Sequence, residues 1–301
     1  MIEDFAVPAS SPLRLLLGFS PGSASHNVAQ AIVPRLAAHL GRPVELELYP
    51  GDSGRIAARL AAASPPDGNT LLVATLGTHA LVPAIDPGCG YHPLKDFTPI
   101  SLLLKAPLIL GVPSSSGISS AAELIEAART ADPPLTYGSS AIGGAPHLAA
   151  ALFADCAGVK FDHVRYRDTR QLYADLVDSR IALSFNNVMS MVPLIRAGKL
   201  RALGTTGPWP HPTLRGVPPI ADAGLSGYEV SNWLGVVGPA GLPAAVVAQI
   251  GKGFAAAARD TAAADVGSDI AACSAEEFAA LVRSEWERWK PIVRRLGWTD
   301  L

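Results

Sequence analysis

The chain has 301 residues, of which 49% are hydrophobic and 17% charged, a globular composition long enough for two domains. Its formal net charge is −2 and it carries no basic stripe, so we expect no nucleic-acid partner. No apolar run approaches the roughly 18 residues that a membrane-spanning helix needs. The composition therefore predicts a folded protein without a transmembrane helix.

Strand-like and helix-like segments alternate along the first third of the chain. The helix predicted over 25–41 has Val28, Ile32, Leu36 and Leu40 on one face at i, i+4 spacing. This order of strand, loop and helix predicts a mostly parallel sheet with helices on its faces. In chain order the segments are a strand at 13–19, a helix at 25–41, a strand at 43–49, a helix at 55–63 and a strand at 70–76.

The alternation resumes after a Gly- and Pro-rich stretch at 86–100, which we interpret as a loop. Residues 206–227 are again dense in Pro and Gly and are typical of a linker. The last helix begins with a capping box, Ser274 with Glu277 three residues on. The intervening segments are a strand at 108–113, a helix at 121–130, a strand at 135–140, a helix at 147–158, a strand at 159–167, a helix at 170–179, a strand at 181–187, the segments PLIRAGK and LRALGTT at 193–206, and an apolar stretch at 230–239.

Residues 18–22 read GFSPG and match G-x-S-x-G, the nucleophile pattern of many hydrolases. In that pattern the backbone N–H of the residue after the serine forms half of the oxyanion hole. Here that residue is Pro21, which has no N–H, and losing one such donor typically lowers the rate by about 10²–10³. We therefore interpret the Ser20 loop as a binding turn rather than a catalytic one, with Gly22 allowing close approach of a ligand to the backbone.

The N-terminal residues MIEDFAVPASSP include Glu3 and Asp4 and have neither a basic region nor an apolar core, so they are not a secretory signal. We expect a cytoplasmic protein if the chain is complete, or one whose signal has been removed. Cys89, Cys156 and Cys273 are widely spaced, without CxxC or metal-ligand spacing. We expect buried or unreactive thiols, and the spacing does not decide whether two of them form a disulfide. No metal and no cofactor is predicted.

Motifs spread over about 280 residues resemble the Bug family of solute-binding proteins, the extracytoplasmic receptors of tripartite tricarboxylate transporters. The first glycine segment, at 19–32, resembles the family's F-P-P-G-G-x-x-D loop and helix, and the segment at 135–153 resembles its Y-x-S-S-G-x-G-S-x-x-H-L pattern. No single motif would be specific, but their order along the chain is. The segments are FSPGSASHNVAQAI, PGDSGRIAA, SPPDGNTLLVATLGTHALVPA, YHPLKDFTPISLL, LTYGSSAIGGAPHLAAALF, HVRYR, SFNN, LIRAGKLRALGTT, VPPIADAGLSGYEVSNWLGVVGPAGLP and SAEEFAALVRSEWERW.

This resemblance implies an α/β fold of the type II periplasmic-binding-protein class. Such proteins have two lobes joined by two crossover strands, with a ligand cleft between the lobes that closes by a hinge motion. With crossovers placed near residues 105 and 230, we expect lobe one to comprise 12–105 and 231–301, and lobe two to comprise 106–230.

The resemblance also implies how the ligand is bound. In the family a carboxylate is held chiefly by backbone amides and waters in two glycine loops. His147 matches a motif residue as well, and we interpret it as structural, packed behind its loop. Carried over residue by residue, the expected ligand-binding residues are Phe19, Gly22, Ser23, His26, Thr78, Ser139, Ser140, Gly143 and Asn186.

The chain departs from the family pattern at several of these positions. His26 and Asn186 stand where the family motifs have aspartate, and Ile142 adds an apolar side chain to the second glycine loop. Fewer carboxylates at the site would remove partners for a ligand ammonium and reduce repulsion of an anion. We therefore hypothesise an acid without an amino group, with an apolar or aromatic body near Ile142 and Phe19.

The leading prediction is a periplasmic receptor, not an enzyme, that captures a di- or tricarboxylate or an aromatic acid for the membrane subunits of a tripartite tricarboxylate transporter. We expect a monomer, as such receptors mostly are. One alternative is a cytoplasmic ligand sensor of the same fold that acts through a partner protein. A hydrolase using Ser20 is the other.

Overall fold

The computed structural model describes residues 11–209, 211, 213–261 and 273–298. Residues 1–10, which include most of the segment judged not to be a secretory signal, lie outside that description. Pro210 and Pro212 of the linker-like stretch lie outside it too.

The described residues form a mixed α/β structure. Its strands are β1 (Leu13–Leu17), β2 (Val44–Leu48), β3 (Thr70–Thr75), β4 (Phe97–Pro113), β5 (Leu135–Ser139), β6 (Phe161–Arg165), β7 (Leu183–Asn187), β8 (Leu200–Thr205) and β9 (Ser231–Pro239). Its α-helices are α1 (Ala24–Leu40), α2 (Arg55–Ala62), α3 (Val82–Ile85), α4 (Ala121–Thr130), α5 (Ala145–Ala157), α6 (Thr169–Val177), α7 (Val188–Arg196), α8 (Ala244–Asp260) and α9 (Ala275–Arg295).

The chain divides into two compact units. Unit 1 comprises Met1–Lys105 and Trp233–Leu301, and unit 2 comprises Ala106–Asn232. Both divisions fall inside strands, so β4 and β9 each contribute residues to the two units.

In unit 1, β1 lies between β2 and β3 and pairs with both in parallel, with Leu15 opposite Leu46 and Leu71. The strand β9 joins the other edge of β3 in the antiparallel direction. Most residues of β1 and all of β3 are buried, as expected for strands covered on both faces by helices. This arrangement places the loops that follow β1, β2 and β3 at one edge of the sheet.

In unit 2, β5 pairs in parallel with β6 and with β7, and β4 runs antiparallel to β7 and β8. A buried cluster that includes Ile109, Leu172, Ile181 and Met191 fills one side of this sheet. The loops after β5, β6 and β7 therefore share an edge as well, and they include the second glycine segment.

Two predicted boundaries can be compared with the structure. The capping box at Ser274 and Glu277 is present, because each residue's side chain accepts from the other's backbone N–H. The assignment of 86–100 to a loop is wrong at its end, since β4 already begins at Phe97. There the Thr98 hydroxyl donates to the Pro239 carbonyl at 2.9 Å. This long-range bond favours strand structure where the local Pro-rich composition indicated a turn.

Candidate functional site

The loop between β1 and α1 contains a tight turn that we name the first glycine turn, residues 20–23. The Ser23 N–H donates to the Ser20 carbonyl at 3.2 Å, and Gly22 adopts a φ of +79°. A β-branched or bulky side chain would be strained at that dihedral, which explains the glycine.

The imidazole of His26 closes the first glycine turn. The Gly22 N–H donates to His26 Nδ1 at 3.1 Å, and the ring is 9% exposed. An imidazole nitrogen that accepts a hydrogen bond carries no proton, so the neutral ring holds its proton on Nε2. His26 therefore acts here through its acceptor nitrogen.

Ser23 is the N-cap of α1. Its Oγ accepts from the His26 N–H at 3.3 Å, and its carbonyl accepts from the Asn27 N–H at 3.0 Å. The Gly22 and Ser23 amides, both expected to bind ligand, donate within the loop in this structure. By helix geometry the amides of the next two residues, Ala24 and Ser25, have no intrahelical acceptor and give this helix end its partial positive charge.

The loop after β2 packs directly against the first one. At Gly18, which precedes Phe19, an added Cβ would lie 2.5 Å from the Gly54 Cα. At Gly54, an added Cβ would lie 2.7 Å from the Thr78 methyl and 3.5 Å from the Phe19 ring. The three loops of unit 1 thus converge on Gly54, and only a residue without a side chain fits there.

Residues 51–54 are unusual in backbone conformation, with positive φ at Gly51, Asp52, Ser53 and Gly54. Two of these are not glycines, and non-glycine residues with positive φ are uncommon and often lie near functional sites. Asp52 lies 3.5 Å from Arg55 as an ion pair. Sequence reasoning used this PGDSG segment only for the family resemblance and assigned none of its residues to the site.

Thr78, another expected ligand contact, is 1% exposed. Its N–H donates to Thr75 Oγ1 at 3.1 Å, and its Oγ1 accepts from the Thr75 N–H at 3.0 Å. Its Oγ1 also lies 3.0 Å from His79 Nδ1. These contacts use the hydroxyl to shape the loop after β3. Burial lowers the pKa of His79 to about 3, which keeps this ring neutral.

The loop between β5 and α5 contains the second glycine turn, residues 141–144. The Gly144 N–H donates to the Ala141 carbonyl at 3.2 Å, and Gly143 adopts a φ of +71°. The Gly143 N–H donates to His147 Nδ1 at 3.1 Å. Position for position, this is the hydrogen-bond pattern of the first glycine turn. His147 thus contacts its own loop from behind, where we expected it to pack.

A stack of rings lies behind the second glycine turn. The centroid of the His163 ring lies 4.5 Å from that of His147 and 4.7 Å from that of Tyr137, and the His163 ring is nearly parallel to both. His163 Nε2 also lies 2.7 Å from the Oγ of Ser139, an expected site residue that is fully buried. Burial, followed by the charge of His163, lowers the pKa of His147 to about 3. Burial, followed by Arg165, also lowers the pKa of His163. The stack is therefore neutral near pH 7.

Two further expected residues lie at the same edge of unit 2. Ser140 follows β5 and is exposed. Asn186 is near the end of β7, where its Nδ2 donates to Ser184 Oγ at 2.7 Å, and that hydroxyl donates to the Gly138 carbonyl at 2.8 Å. Ser184 thus ties β7 to β5, and Asn186 donates to its hydroxyl.

Sequence reasoning missed His163 and the equivalence of the two turns. A signal for the second was present, because both segments contain glycine and histidine at G-x-x-x-H spacing, Gly22 with His26 and Gly143 with His147.

Among the described residues, no group of three or more His, Cys, Asp or Glu side chains could hold a metal ion. Within the same residues, no helix is long and apolar enough to cross a bilayer.

The chain belongs to the tripartite tricarboxylate transporter family of receptors, whose family model matches residues 28–298. A UPF0065 protein encoded in the tcbD–tcbE intergenic region of Pseudomonas sp. (strain P51) is 35% identical over 94% of this chain and 86% of its own length. The Bug-type assignment predicted from the sequence is confirmed by these matches and by the structural similarity that follows.

Solved structures of the same type superpose on nearly the whole chain. Rpa4515 of R. palustris with adipate has a TM-score of 0.87 and 31% identity, and covers 97% of this chain and 99% of its own. The periplasmic binding protein BugD has a TM-score of 0.86 and 25% identity, with coverages of 96% and 98%. MatC of Rhodopseudomonas palustris with bound malate has a TM-score of 0.84 and 27% identity, with coverages of 95% and 99%.

The predicted fold class is confirmed by these similarities, since the chain has the fold of periplasmic binding proteins of this family. The family and the structural neighbours are solute-binding receptors rather than enzymes. This excludes the hydrolase alternative for Ser20, whose carbonyl instead closes the first glycine turn.

Proposed function

We propose that this chain is a periplasmic receptor that binds a small dicarboxylate and presents it to the membrane subunits of a tripartite transporter. The two units are the two lobes of the receptor, and the glycine loop of each unit supplies amides suited to a carboxylate group. The observation that carries the proposal is the pair of glycine turns, each leading into the N-terminus of a helix of 13 or more residues.

Backbone groups at the start of a helix can attract an anion on their own. The N-termini of α1 and α5 offer backbone N–H groups and a partial positive charge, which favours a carboxylate, although Pro146 removes one N–H from the first turn of α5. Neither helix has an acidic residue in its first turn, so no side chain there repels an anion. The adipate and malate bound by two structural neighbours are both dicarboxylates, which supports this ligand class.

The first test is a binding screen with ligand-stripped protein against adipate, malate, citrate, benzoate and aspartate. A ligand present at about 100 times its Kd should raise the free energy of unfolding by about 2.7 kcal/mol, and the melting temperature by several degrees. We expect adipate or malate to give the largest shift and aspartate, a dicarboxylate with an added ammonium group, a smaller one. No shift with any of the five, or the largest shift with aspartate, would contradict the proposal.

A second test removes one backbone donor without disturbing the helix. Ala24 is the first residue of α1, where proline fits well, and Ser23 before it has the extended conformation that proline requires. Ala24→Pro should weaken binding of the best carboxylate about tenfold or more, as expected when a charge-assisted hydrogen bond is lost. Ala275→Pro is the matched control, because Ser274 before it has nearly the same dihedral angles. Equal affinities for the two variants would refute binding by the α1 amides.

The cellular part of the proposal has its own experiment. Expression from the natural start of the gene, followed by fractionation, should place the protein in the periplasm. Retention in the cytoplasm would instead favour the alternative prediction of a ligand sensor that acts through a partner protein.

A further inference from the structure

The two glycine turns share one feature beyond their backbone shape. In each, the glycine with positive φ donates its N–H to Nδ1 of a histidine four residues later, at 3.1 Å in both cases. The histidines, His26 and His147, are 9% and 8% exposed. The same contact therefore occurs in two units whose sequences around it otherwise differ.

This contact determines which hydrogen bonds the turn can make. A backbone N–H carries one hydrogen, so the Gly22 and Gly143 amides that donate to histidine are directed into the protein. An unpaired amide at a partly buried position would be unfavourable, and the turn would adopt another conformation to satisfy it. The histidine acceptor thus stabilises the one backbone conformation from which α1 and α5 begin.

We propose that His26 and His147 are equivalent positioning residues that hold the two glycine turns through Nδ1, so that the first amide of α1, at Ala24, and the first amide of α5, at Ala145, are each oriented to bind a carboxylate group. This inference rests on the proposed function only for the identity of the ligand. Neither imidazole has to touch the ligand. What matters is an unprotonated acceptor atom attached to Cγ.

The side-chain chemistry provides a sharp set of variants. Asparagine places its Oδ1 on Cγ, where histidine has Nδ1, so His26→Asn and His147→Asn retain an acceptor at the same position. His26→Leu and His147→Leu retain a branched side chain without an acceptor. His26→Asp retains the acceptor oxygen and adds a negative charge, which separates positioning from electrostatics.

The first readout needs no ligand. In NMR spectra of the full chain near pH 7, both rings should show the tautomer protonated on Nε2. Hydrogen exchange at the Gly22 amide should be at least about tenfold faster in His26→Leu than in the native protein, and within about threefold of native in His26→Asn and His26→Asp. His147→Leu and His147→Asn should have the same effects on Gly143. Rings protonated on Nδ1, or leucine variants with native exchange rates, would overturn the proposal.

The second readout is affinity for malate as the probe. We expect each leucine variant to bind malate about tenfold more weakly and each asparagine variant to bind within about threefold of the native protein. His26→Asp should restore the Gly22 exchange rate but not the affinity. Asparagine variants that melt at the native temperature and yet bind as weakly as the leucine variants would refute the positioning role. Failure of the native protein to bind malate would count against the proposed ligand class, while the exchange rates and tautomers would still decide the role of the histidines.

Discussion

The first and second glycine turns are built on the same backbone bonds but supported by different side chains. In the first, Ser23 caps α1 through its hydroxyl, whereas in the second the cap residue of α5 is Gly144, which has no side chain to offer. The second turn instead has a stack of rings behind His147, formed by His163 and Tyr137.

The elements common to both turns indicate what this kind of turn requires. Each turn has a backbone carbonyl that accepts a hydrogen bond from the N–H of the residue three positions later. Each also has a glycine with positive φ and an imidazole nitrogen that accepts from that glycine's N–H. The serine cap occurs only in the first turn and the ring stack only in the second, so we infer that each supports its own turn and that neither is required for the turn itself. Substitutions at the shared histidine can be compared with substitutions at the packing and cap residues that differ between the two turns.

The largest effect that we expect is acid sensitivity arising from the second turn. The folded-state pKa of His147, about 3, lies below its ordinary value of 6.5. Between these values the unfolded chain binds one more proton, so the free energy of unfolding falls as the pH falls, by about 1.4 kcal/mol per pH unit. In urea titrations over this range, the free energy of unfolding of His147→Asn should depend less steeply on pH than that of the native protein, by the equivalent of about one proton.

His79 provides the background for this comparison. Burial lowers its pKa to about 3 as well, so it adds a similar acid dependence to both the native and the variant protein. An unchanged slope in His147→Asn would show that His147 binds a proton over this pH range as readily in the folded state as in the unfolded chain, so its Nδ1 would not remain an acceptor there.

A smaller effect is expected from adding a methyl group near each turn. In Gly18→Ala the new Cβ would meet the Gly54 backbone at 2.5 Å, and in Gly138→Ala it would meet the end of the Ile181 side chain at 2.5 Å. A side chain can move aside more easily than a backbone. We expect Gly18→Ala to lower the free energy of unfolding by roughly 2–3 kcal/mol, and Gly138→Ala by about 1 kcal/mol. Denaturant melts of the two variants would check the order, and a reversed order would contradict the close packing around Gly54.

The smallest effects should come from the caps. Ser23→Ala removes the hydroxyl that accepts from His26 N–H and should lower the free energy of unfolding by about 1 kcal/mol, whereas Ser23→Gly should lower it by a few tenths. Gly144→Ser adds a cap to the second turn, with its Cβ 3.3 Å from the Ala141 carbonyl oxygen, and should be neutral or slightly stabilising. Thermal denaturation can resolve these differences. A larger loss for Ser23→Gly than for Ser23→Ala would argue that Ser23 acts through its Cβ rather than its hydroxyl.

Much of the local structure could be predicted from the sequence. The i, i+4 pattern of Val28, Ile32, Leu36 and Leu40 predicted α1; the first three are buried and Leu40 is half-buried. The capping box at Ser274 predicted the start of α9. These features depend on residues a few positions apart, so a local pattern contains the information. The family resemblance, spread over many segments, predicted the fold that the structural similarity confirms.

The interpretation of His26 shows where sequence reasoning stopped. From its position in the family pattern, we interpreted His26 as a change that lowers negative charge at the site. The structure shows that its Nδ1 accepts from Gly22, so the residue also has a positioning contact that charge alone does not reveal. The matching contact at His147 makes the same point, because G-x-x-x-H spacing indicates a contact only once a turn brings the two residues together.

Other features depended entirely on tertiary structure. Thr78, Gly54 and Phe19 come from three loops that are far apart in sequence, and their contact follows from the parallel pairing of β1, β2 and β3. The burial that lowers the pKa of His147 likewise comes from β5, β6 and α5 packed together.

The sequence by itself thus predicted α1, the start of α9, several strands and the class of protein, because these follow from local spacing and from motifs in fixed order. Tertiary structure decided which amide each imidazole accepts from and which rings are buried, because these depend on distances between residues that only folding brings within hydrogen-bond range.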